Sequence, residues 1–148
     1  MPSRKIMNPQ PCPVARGVDV VGDRWSLLIV RDAFDGVRRF GDFQRSLGVA
    51  RNILSDRLRK LVDAEVLATQ AASDGSAYQE YVLTPKGESL FAVVLALRQW
   101  GERHLFEPGE PHSLLIDKGS GQPVPLMSPK TQDGAALLPA ATEVRKLT

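Results

Sequence analysis

Three polar side chains between positions 52 and 59 have the chemistry needed to recognise DNA bases. Asn52, Ser55 and Arg59 are spaced three and four residues apart, so on a helix they share one face. Asparagine and arginine can make bidentate hydrogen bonds to adenine and guanine edges respectively, and serine can bond to either base. We therefore expect these three side chains to read bases if a helix presents them.

Basic residues around this triplet could contact DNA phosphates, which fix the register of a protein on the duplex. Any one of them is equally well explained as a solvated surface charge. Asp56 would be repelled by phosphate. It could accept a hydrogen bond from cytosine, but pairing with the cations three and four residues later is the favoured interpretation. The basic candidates are Arg38, Arg39, Arg45, Arg51 and Lys60.

The single cysteine, Cys12, allows no internal disulfide and no multi-cysteine metal site. Arg16 lies one helical turn away, and a helix N-terminus at Cys12 would favour the thiolate, as a redox-sensing thiol requires. The alternative is a small buried side chain with an inert thiol. Catalysis by Cys12 is disfavoured, because both histidines are more than ninety residues away and no triad signature is present.

Charge is distributed unevenly along the 148 residues, although the net charge is only +2. Residues 1–60 contain 12 Lys and Arg against 6 Asp and Glu, whereas residues 61–148 contain 7 against 11. A basic N-terminal half suggests a polyanionic partner there. The longest apolar run covers only residues 90–97, and the N-terminus has no apolar run after its basic residues. We therefore expect a cytoplasmic protein without a membrane segment or secretory signal.

The elements that would position the polar residues follow from glycine and apolar spacing. Prolines are concentrated before residue 14 and after residue 107, so long helices fit between them. Asp23 can cap a helix that Asp35-Gly36 ends, after a shorter helix over residues 14–21. Residues 40–47 and a leucine series from residue 54 predict two helices that meet at Gly48. This pattern is typical of a helix-turn-helix, although a solvated helical hairpin would look similar.

The residues that follow favour the helix-turn-helix over the solvated helical hairpin. The segments VLATQAAS and AYQEYVLT can pair across Asp74-Gly75 as a hairpin, and Thr84-Pro85 then caps a new helix. A helix-turn-helix followed by a hairpin is a winged helix. The last predicted helix, from Pro85 to about His104, is apolar almost all round, which predicts a homodimer interface at Val94, Leu97 and Trp100.

Residues 12–105 resemble the HxlR-type family of bacterial transcriptional regulators, relatives of the MarR winged helices. The resemblance rests on Cys12-Pro13-Val14 and on the segments GDRWSLLIVRD, RFGDFQRSLGVARNILSDRLRKLV and YVLTPKG. It implies a dimer that binds operator DNA without catalysis, with an N-terminal helix joining the long helix in the interface. In some members a cysteine at this position senses oxidants.

The chain departs from this family in two places. Its wing, TQAASDGSA, has no basic residue, which puts phosphate contacts by the wing in doubt. Many relatives end in a Cys- and His-bearing metal ribbon, whereas this tail lacks the roughly four ligands that structural zinc needs. We expect no cofactor and no metal. Instead of a metal, apolar packing should hold the tail together, through Leu114, Leu115, Ile116, Val124 and Leu126.

The sequence thus predicts a mainly helical α+β protein. Residues 1–107 would form a winged helix-turn-helix domain for DNA binding and dimerisation, and residues 108–148 a small β-rich C-terminal extension. The predicted function is a homodimeric regulator that binds a palindromic operator on double-stranded DNA and responds to a small-molecule or oxidant effector. The alternative is a dimeric ligand- or protein-interaction module with weak DNA binding, and a thiol enzyme is the least favoured hypothesis.

Overall fold

The computed structural model of the protein describes residues 11–146. These residues form two compact units that divide between Val94 and Leu95. No helix within residues 11–146 is long and apolar enough to cross a membrane, and the N-terminal leader prediction falls mainly on residues outside this range. In chain order the elements are α1 (Pro13–Val21), α2 (Arg24–Phe34), α3 (Phe40–Leu47), α4 (Arg51–Asp63), β1 (Leu67–Ala71), β2 (Gln79–Leu83), α5 (Pro85–Glu88), α6 (Phe91–His104) and a 3-10 turn (Pro139–Ala141).

The capping residues predicted from the sequence begin two of these helices. The Asp23 carboxylate accepts a hydrogen bond from the Ser26 N–H at 3.3 Å and starts α2. The Thr84 hydroxyl accepts one from the Gly87 N–H at 3.0 Å and starts α5. Such caps satisfy N–H groups that have no partner inside the helix. The predicted stop after α2 is confirmed as well, since Gly36 adopts a positive φ of 93°.

Helices α3 and α4 form the predicted helix-turn-helix. Gly48, at φ 62°, ends α3 in the left-handed conformation that glycine adopts without steric cost. Phe43 of α3 and the α4 residues Leu54, Leu58 and Leu61 are fully buried. Burying a side chain of this size contributes about 1.5–3 kcal/mol, so this leucine series fixes the rotation of α4 about its axis.

The wing is the antiparallel pair β1 and β2, with Leu67 opposite Leu83 and Ala71 opposite Gln79. Gly75 in its turn has φ 78°, as predicted for the Asp-Gly hairpin. The Tyr81 N–H donates to the Arg38 carbonyl at 2.7 Å. The wing is therefore hydrogen-bonded to the segment that leads into α3.

The single helix predicted from Pro85 to about His104 is divided in the structure. Helix α5 ends at Glu88 and α6 begins at Phe91. The Ser89 hydroxyl donates to the Lys86 carbonyl at 2.5 Å, and such local bonds compete with helix continuation. A Cβ at Gly87 would lie 2.1 Å from the Val66 carbonyl oxygen. Glycine at this position therefore lets α5 approach the start of the wing.

The C-terminal extension is less regular than the β-rich structure that the sequence predicts. Within residues 105–146, strand-like pairing is limited to two isolated antiparallel bridges, Ile116 with Pro123 and Lys130 with Ala136. Proline and glycine interrupt each apolar run, which prevents longer ladders.

The predicted apolar packing of this extension is wrong for three of its five residues. Leu114, Ile116 and Leu126 are exposed, and only Leu115 and Val124 are partly buried. The anchor is Gln99 of α6, which is buried. Its amide donates to the Pro125 carbonyl at 3.0 Å and accepts from the Met127 N–H at 2.8 Å. A buried amide with both functions satisfied orders the backbone that it contacts.

Candidate nucleic-acid interface

Helix α4 has one buried face and one polar, exposed face. Asn52, Ser55 and Arg59 are exposed, while the leucines behind them are fully buried. Within residues 11–146 the side chains of Asn52 and Ser55 make no hydrogen bond. Their donors and acceptors are thus available to a ligand. The structure brings the three predicted base-reading residues to one surface.

Asp56 is the centre of a charge cluster on this helix. It pairs with Arg57 at 2.6 Å, with Arg59 at 2.7 Å and with Lys60 at 3.4 Å. Desolvation acts to raise the pKa of Asp56, but the hydrogen bonds from Arg57 and Lys60 outweigh it and hold that pKa below its usual value. The favoured interpretation of Asp56, as the carboxylate that holds Arg59 and Lys60, agrees with this geometry.

Sequence reasoning missed the role of Arg57. Its Nε donates to the second carboxylate oxygen of Asp23 at 2.7 Å, so it links α4 to the cap that starts α2. Desolvation acts to raise the pKa of Asp23, but the bonds from Ser26 and Arg57 lower it below the usual value. No spacing rule pairs residues 23 and 57. The sequence analysis predicted Asp23 as a helix cap but gave Arg57 no role.

The wing holds Arg38 and Arg39 through two carboxylates that sequence reasoning did not assign. Arg38 lies 3.6 Å from Glu80, and Arg39 lies 3.9 Å from Glu80 and 2.5 Å from Asp74. The Arg39 guanidinium also stacks 5.1 Å from the ring centre of Tyr78. These predicted phosphate contacts are thus placed together, but both are already paired with acidic groups.

The two wing carboxylates are stabilised in their ionised form. The N–H and hydroxyl of Ser76 and the Arg39 guanidinium lower the pKa of Asp74 to about 2. Desolvation acts to raise the pKa of Glu80, but Gln70, Ser73 and Arg38 together lower it. The Glu80 side chain is only 5% exposed, so its charge is satisfied almost entirely by protein groups.

The remaining predicted phosphate contacts are Arg45, in the last turn of α3, and Arg51, at the start of α4. Arg45 pairs with Asp42 one turn earlier in α3. The Arg51 guanidinium lies 4.8 Å from the ring centre of Phe40, a cation–π contact that joins the two helix starts. Neither contact buries its arginine, so both guanidinium groups can reach a ligand.

Residues predicted for sensing and dimerisation lie elsewhere. Cys12 is exposed, which contradicts the alternative of a buried inert thiol, and its Sγ accepts the Ala15 N–H at 3.4 Å as the cap of α1. Leu97 and Trp100 are about half exposed. Val94 is partly buried and packs against the core of its own unit.

A model of the HxlR-like helix-turn-helix family matches residues 20–108. The HTH-type transcriptional regulator Rv3095 of Mycobacterium tuberculosis is 46% identical over 98 residues, which are 66% of this chain and 62% of that protein. The chain thus spans less than two thirds of the length of this relative. Both the family model and this relative are thus helix-turn-helix proteins, and the relative is named a transcriptional regulator.

Two solved structures extend the similarity. The crystal structure of PA1607, described as a candidate transcription factor, has a TM-score of 0.88 and 51% identity, covering 93% of this chain and 96% of that chain. The redox regulator HypR in its reduced form has a TM-score of 0.59 and 28% identity, covering 64% of this chain and 94% of that chain. Together with the family match over more than half of the sequence, they confirm the resemblance: the protein belongs to the HxlR-like helix-turn-helix family of transcriptional regulators.

Proposed function

We propose that the protein acts as a homodimer that binds a palindromic operator on double-stranded DNA. The observation that carries this proposal is the polar face of α4, where Asn52 and Ser55 are exposed without side-chain partners beside Arg59. A recognition helix must pack its back on a core while its front enters the major groove. The buried leucines and the exposed polar residues of α4 meet both requirements.

In this proposal Asn52, Ser55 and Arg59 read bases, while arginines nearer the phosphate backbone fix the register. Arg59 can leave Asp56 without isolating that carboxylate, because Arg57 stays beside it. A guanine edge offers two acceptors to the freed guanidinium. The proposed phosphate contacts are Arg38, Arg39, Arg45, Arg51 and Lys60.

Dimerisation is proposed through α6, joined by α1. Leu97 and Trp100 on α6 and Val14 and Val18 on α1 are at least half exposed, and exposed apolar residues on neighbouring turns mark interaction surfaces. Two recognition helices about 34 Å apart would match half-sites separated by about 10 base pairs. We propose residues 1–107 as the domain that dimerises and binds DNA.

The test is to recover genomic fragments protected by the purified protein and to sequence them. We expect inverted half-sites at a spacing of about 10 base pairs or a small multiple, and we expect Arg59→Ala to lose preference for these fragments over random DNA. Arg103→Ala, which removes an exposed arginine outside α4, is the matched control. Recovery of fragments without a shared sequence would contradict the proposal.

A second candidate function is a dimeric interaction module with weak DNA binding. The observation in its favour is the wing, where Asp74 and Glu80 already neutralise Arg38 and Arg39. The two hypotheses differ in salt dependence, because each phosphate contact made by a cation steepens the fall of affinity with salt. Weak binding with a shallow salt slope and no preference for genomic fragments over random DNA would favour the interaction module.

We further propose that Cys12 is a thiol sensor, since it is exposed and lies at a helix N-terminus. A redox regulator, HypR, is among the similar structures. With one cysteine per chain, oxidation must give a sulfenic acid, a mixed disulfide or a disulfide between subunits. Operator affinity before and after mild peroxide, for the natural protein and Cys12→Ser, tests this. Equal affinity in both proteins after oxidation would make Cys12 structural.

A further inference from the structure

The C-terminal extension, residues 105–146, is ordered without a core of its own. None of its residues is buried, and partial burial is limited to Leu115, Val124, Thr131 and Leu137. Its backbone is nonetheless paired: the Val124 N–H donates to the Leu115 carbonyl at 3.0 Å. Fixing a backbone costs conformational entropy, and exposed hydrogen bonds offset this cost poorly because water competes for the same groups. The extension therefore needs burial that its own subunit does not provide.

The extension exposes the apolar side chains through which such burial can occur. A disulfide or a structural zinc cannot replace it, because residues 105–146 contain no cysteine and only one histidine. Exposed apolar residues that recur along a segment mark an interaction surface. The extension surface consists of five residues that are each 38–66% exposed, namely Leu114, Ile116, Leu126, Met127 and Leu138.

Helix α6 carries a second apolar surface that its own extension does not cover. Leu97 is 53% exposed and Trp100 is 51% exposed, and these two residues are the α6 surface. The extension is bonded to the helix through Gln99, which is rotated about 200° from Leu97 at 3.6 residues per turn. The extension of the same subunit therefore leaves the Leu97 side of α6 open.

The combined area of the two surfaces is that of a stable dimer contact. Their seven side chains are on average about half exposed. At roughly 150–250 Å² for a large side chain, they offer about 500–900 Å², and each partner in a standard specific interface buries about 800 Å². The exposed apolar area is thus sufficient for a specific protein partner.

Charge and symmetry favour a second copy of this chain as that partner. Residues 95–146 contain six Lys and Arg and six Asp and Glu, so two copies meet there without net repulsion. In a two-fold dimer, contact of one extension surface with the second α6 surface also creates the reverse contact. One dimer therefore covers both surfaces of both subunits.

We propose that the extension is an arm that packs on the α6 helix of a second copy of the chain. The extension surface of each subunit covers Leu97 of the partner subunit and Trp100 of the partner subunit, and the arm obtains the burial that it lacks in a single subunit. This inference rests on the proposed homodimer, names the surfaces that meet in it and adds the extension to residues 1–107 as a dimerisation element.

Charges placed on the extension surface test the contact. Leu126→Asp and Leu138→Asp should each raise the dissociation constant of the dimer about 10- to 100-fold, because a carboxylate would lose water in an apolar interface. Both residues are exposed within the subunit, so neither change disturbs the core of the subunit itself. The matched control is Tyr78→Asp, which charges a wing residue that is as exposed as Leu138. Sedimentation of the full chain over a range of concentrations, without DNA, measures the constant.

Cross-linking tests which surfaces meet. In a Cys12→Ser background, tagged subunits with Met127→Cys are mixed with untagged subunits with Leu97→Cys and treated with a short bis-maleimide. We expect cross-linked dimers that contain one subunit of each kind.

Two results would overturn the arm and leave the homodimer in place. One is a dissociation constant that Leu126→Asp and Leu138→Asp change no more than Tyr78→Asp does. The other is cross-linking only between two Leu97→Cys subunits, which would show that α6 pairs with α6. A natural protein that stays monomeric at all concentrations would instead overturn the proposed homodimer and the arm with it.

Discussion

Helix α4 and the wing both hold arginines against carboxylates, but they do so over different distances along the chain. Arg59 and Lys60 meet Asp56 within one helical turn. Arg39 meets Asp74 across 35 residues of sequence. The α4 pairs form wherever this helix forms, whereas the wing pairs form only when the hairpin docks beside α3.

The two regions also differ in what remains when an arginine turns towards DNA. Asp56 keeps Arg57 when Arg59 leaves, and it is exposed enough for water to replace the lost contact. Glu80 is almost fully buried, so it depends on Arg38, Gln70 and Ser73 if Arg39 leaves. Leaving a buried carboxylate short of partners is costly. The structure therefore predicts that α4 releases its arginine more readily than the wing does.

The largest expected effect comes from truncating a buried side chain that packs the wing against α3, the helix before α4. Phe43 is fully buried in α3 and its ring packs edge-on against Tyr81 of the wing, with ring centres 6.5 Å apart. Phe43→Ala should lower the free energy of unfolding by about 3–5 kcal/mol, as such core truncations do. Urea denaturation measures this loss, with Tyr78→Ala, which truncates an exposed wing ring, as control. A loss below about 1 kcal/mol would show that Phe43 does not couple α3 to the wing.

The next effect separates base reading from phosphate binding. Arg59→Ala should cost about 1–3 kcal/mol at the operator and relax preference at one base pair. Arg39→Ala should weaken operator and random DNA alike and reduce the salt slope by about one. Fluorescence anisotropy on both DNAs over a range of salt concentrations measures the two effects. Equal losses on operator and random DNA for Arg59→Ala would remove it from the base-reading set.

The features that the sequence could predict are those formed by residues close together in the chain. The cap at Asp23, the left-handed turn at Gly48 and the pairing of Asp56 with Arg59 and Lys60 depend on residues a few positions apart. Local spacing determines such features, and these predictions agree with the structure.

The contacts of Arg57 with Asp23 and of Arg39 with Asp74 were not predicted, because they depend on how distant elements dock. The division of the last helix at Ser89 was also not predicted. It follows the close approach of Gly87 to the Val66 carbonyl. This is a tertiary contact, and apolar periodicity does not report tertiary contacts. The anchoring of the extension by Gln99 was missed because periodicity weighs apolar side chains and gives a buried amide no role.

A smaller effect should follow from weakening the wing clamp directly. Asp74→Asn removes the carboxylate nearest Arg39 and leaves Glu80 in place. The freed guanidinium should raise affinity for random DNA about two- to fivefold at low salt, and the increase should fade as salt screens it. Asp117→Asn, an exposed change in the extension, is the control. Unchanged binding of random DNA by Asp74→Asn would show that the clamp does not compete with phosphate.

The smallest expected effect is on the pH dependence of stability. The Asp74 carboxylate of the wing should titrate at a lower pH than an ordinary exposed carboxylate. Because the pKa of Asp74 is lowered from 3.8 to about 2, its contribution to stability is fully present above pH 4 and is lost as pH falls towards 2. Between pH 5 and 8 the clamp stays ionised, so Asp74 should add no pH dependence to DNA binding.

Comparison of the natural protein with Asp74→Asn isolates the contribution of the Asp74 carboxylate to stability. The urea midpoint of the natural protein should fall more steeply from pH 5 to pH 2.5 than that of Asp74→Asn, because only the natural protein has the carboxylate to protonate. Asp23, Asp56 and Glu80 also have lowered pKa values, but they are present in both proteins and cancel in the difference. Parallel curves for the two proteins would mean that Asp74 titrates as a free carboxylate. In that case the hydrogen bonds from Ser76 and Arg39 would not hold in solution, and the wing would leave Arg39 as available to phosphate as α4 leaves Arg59.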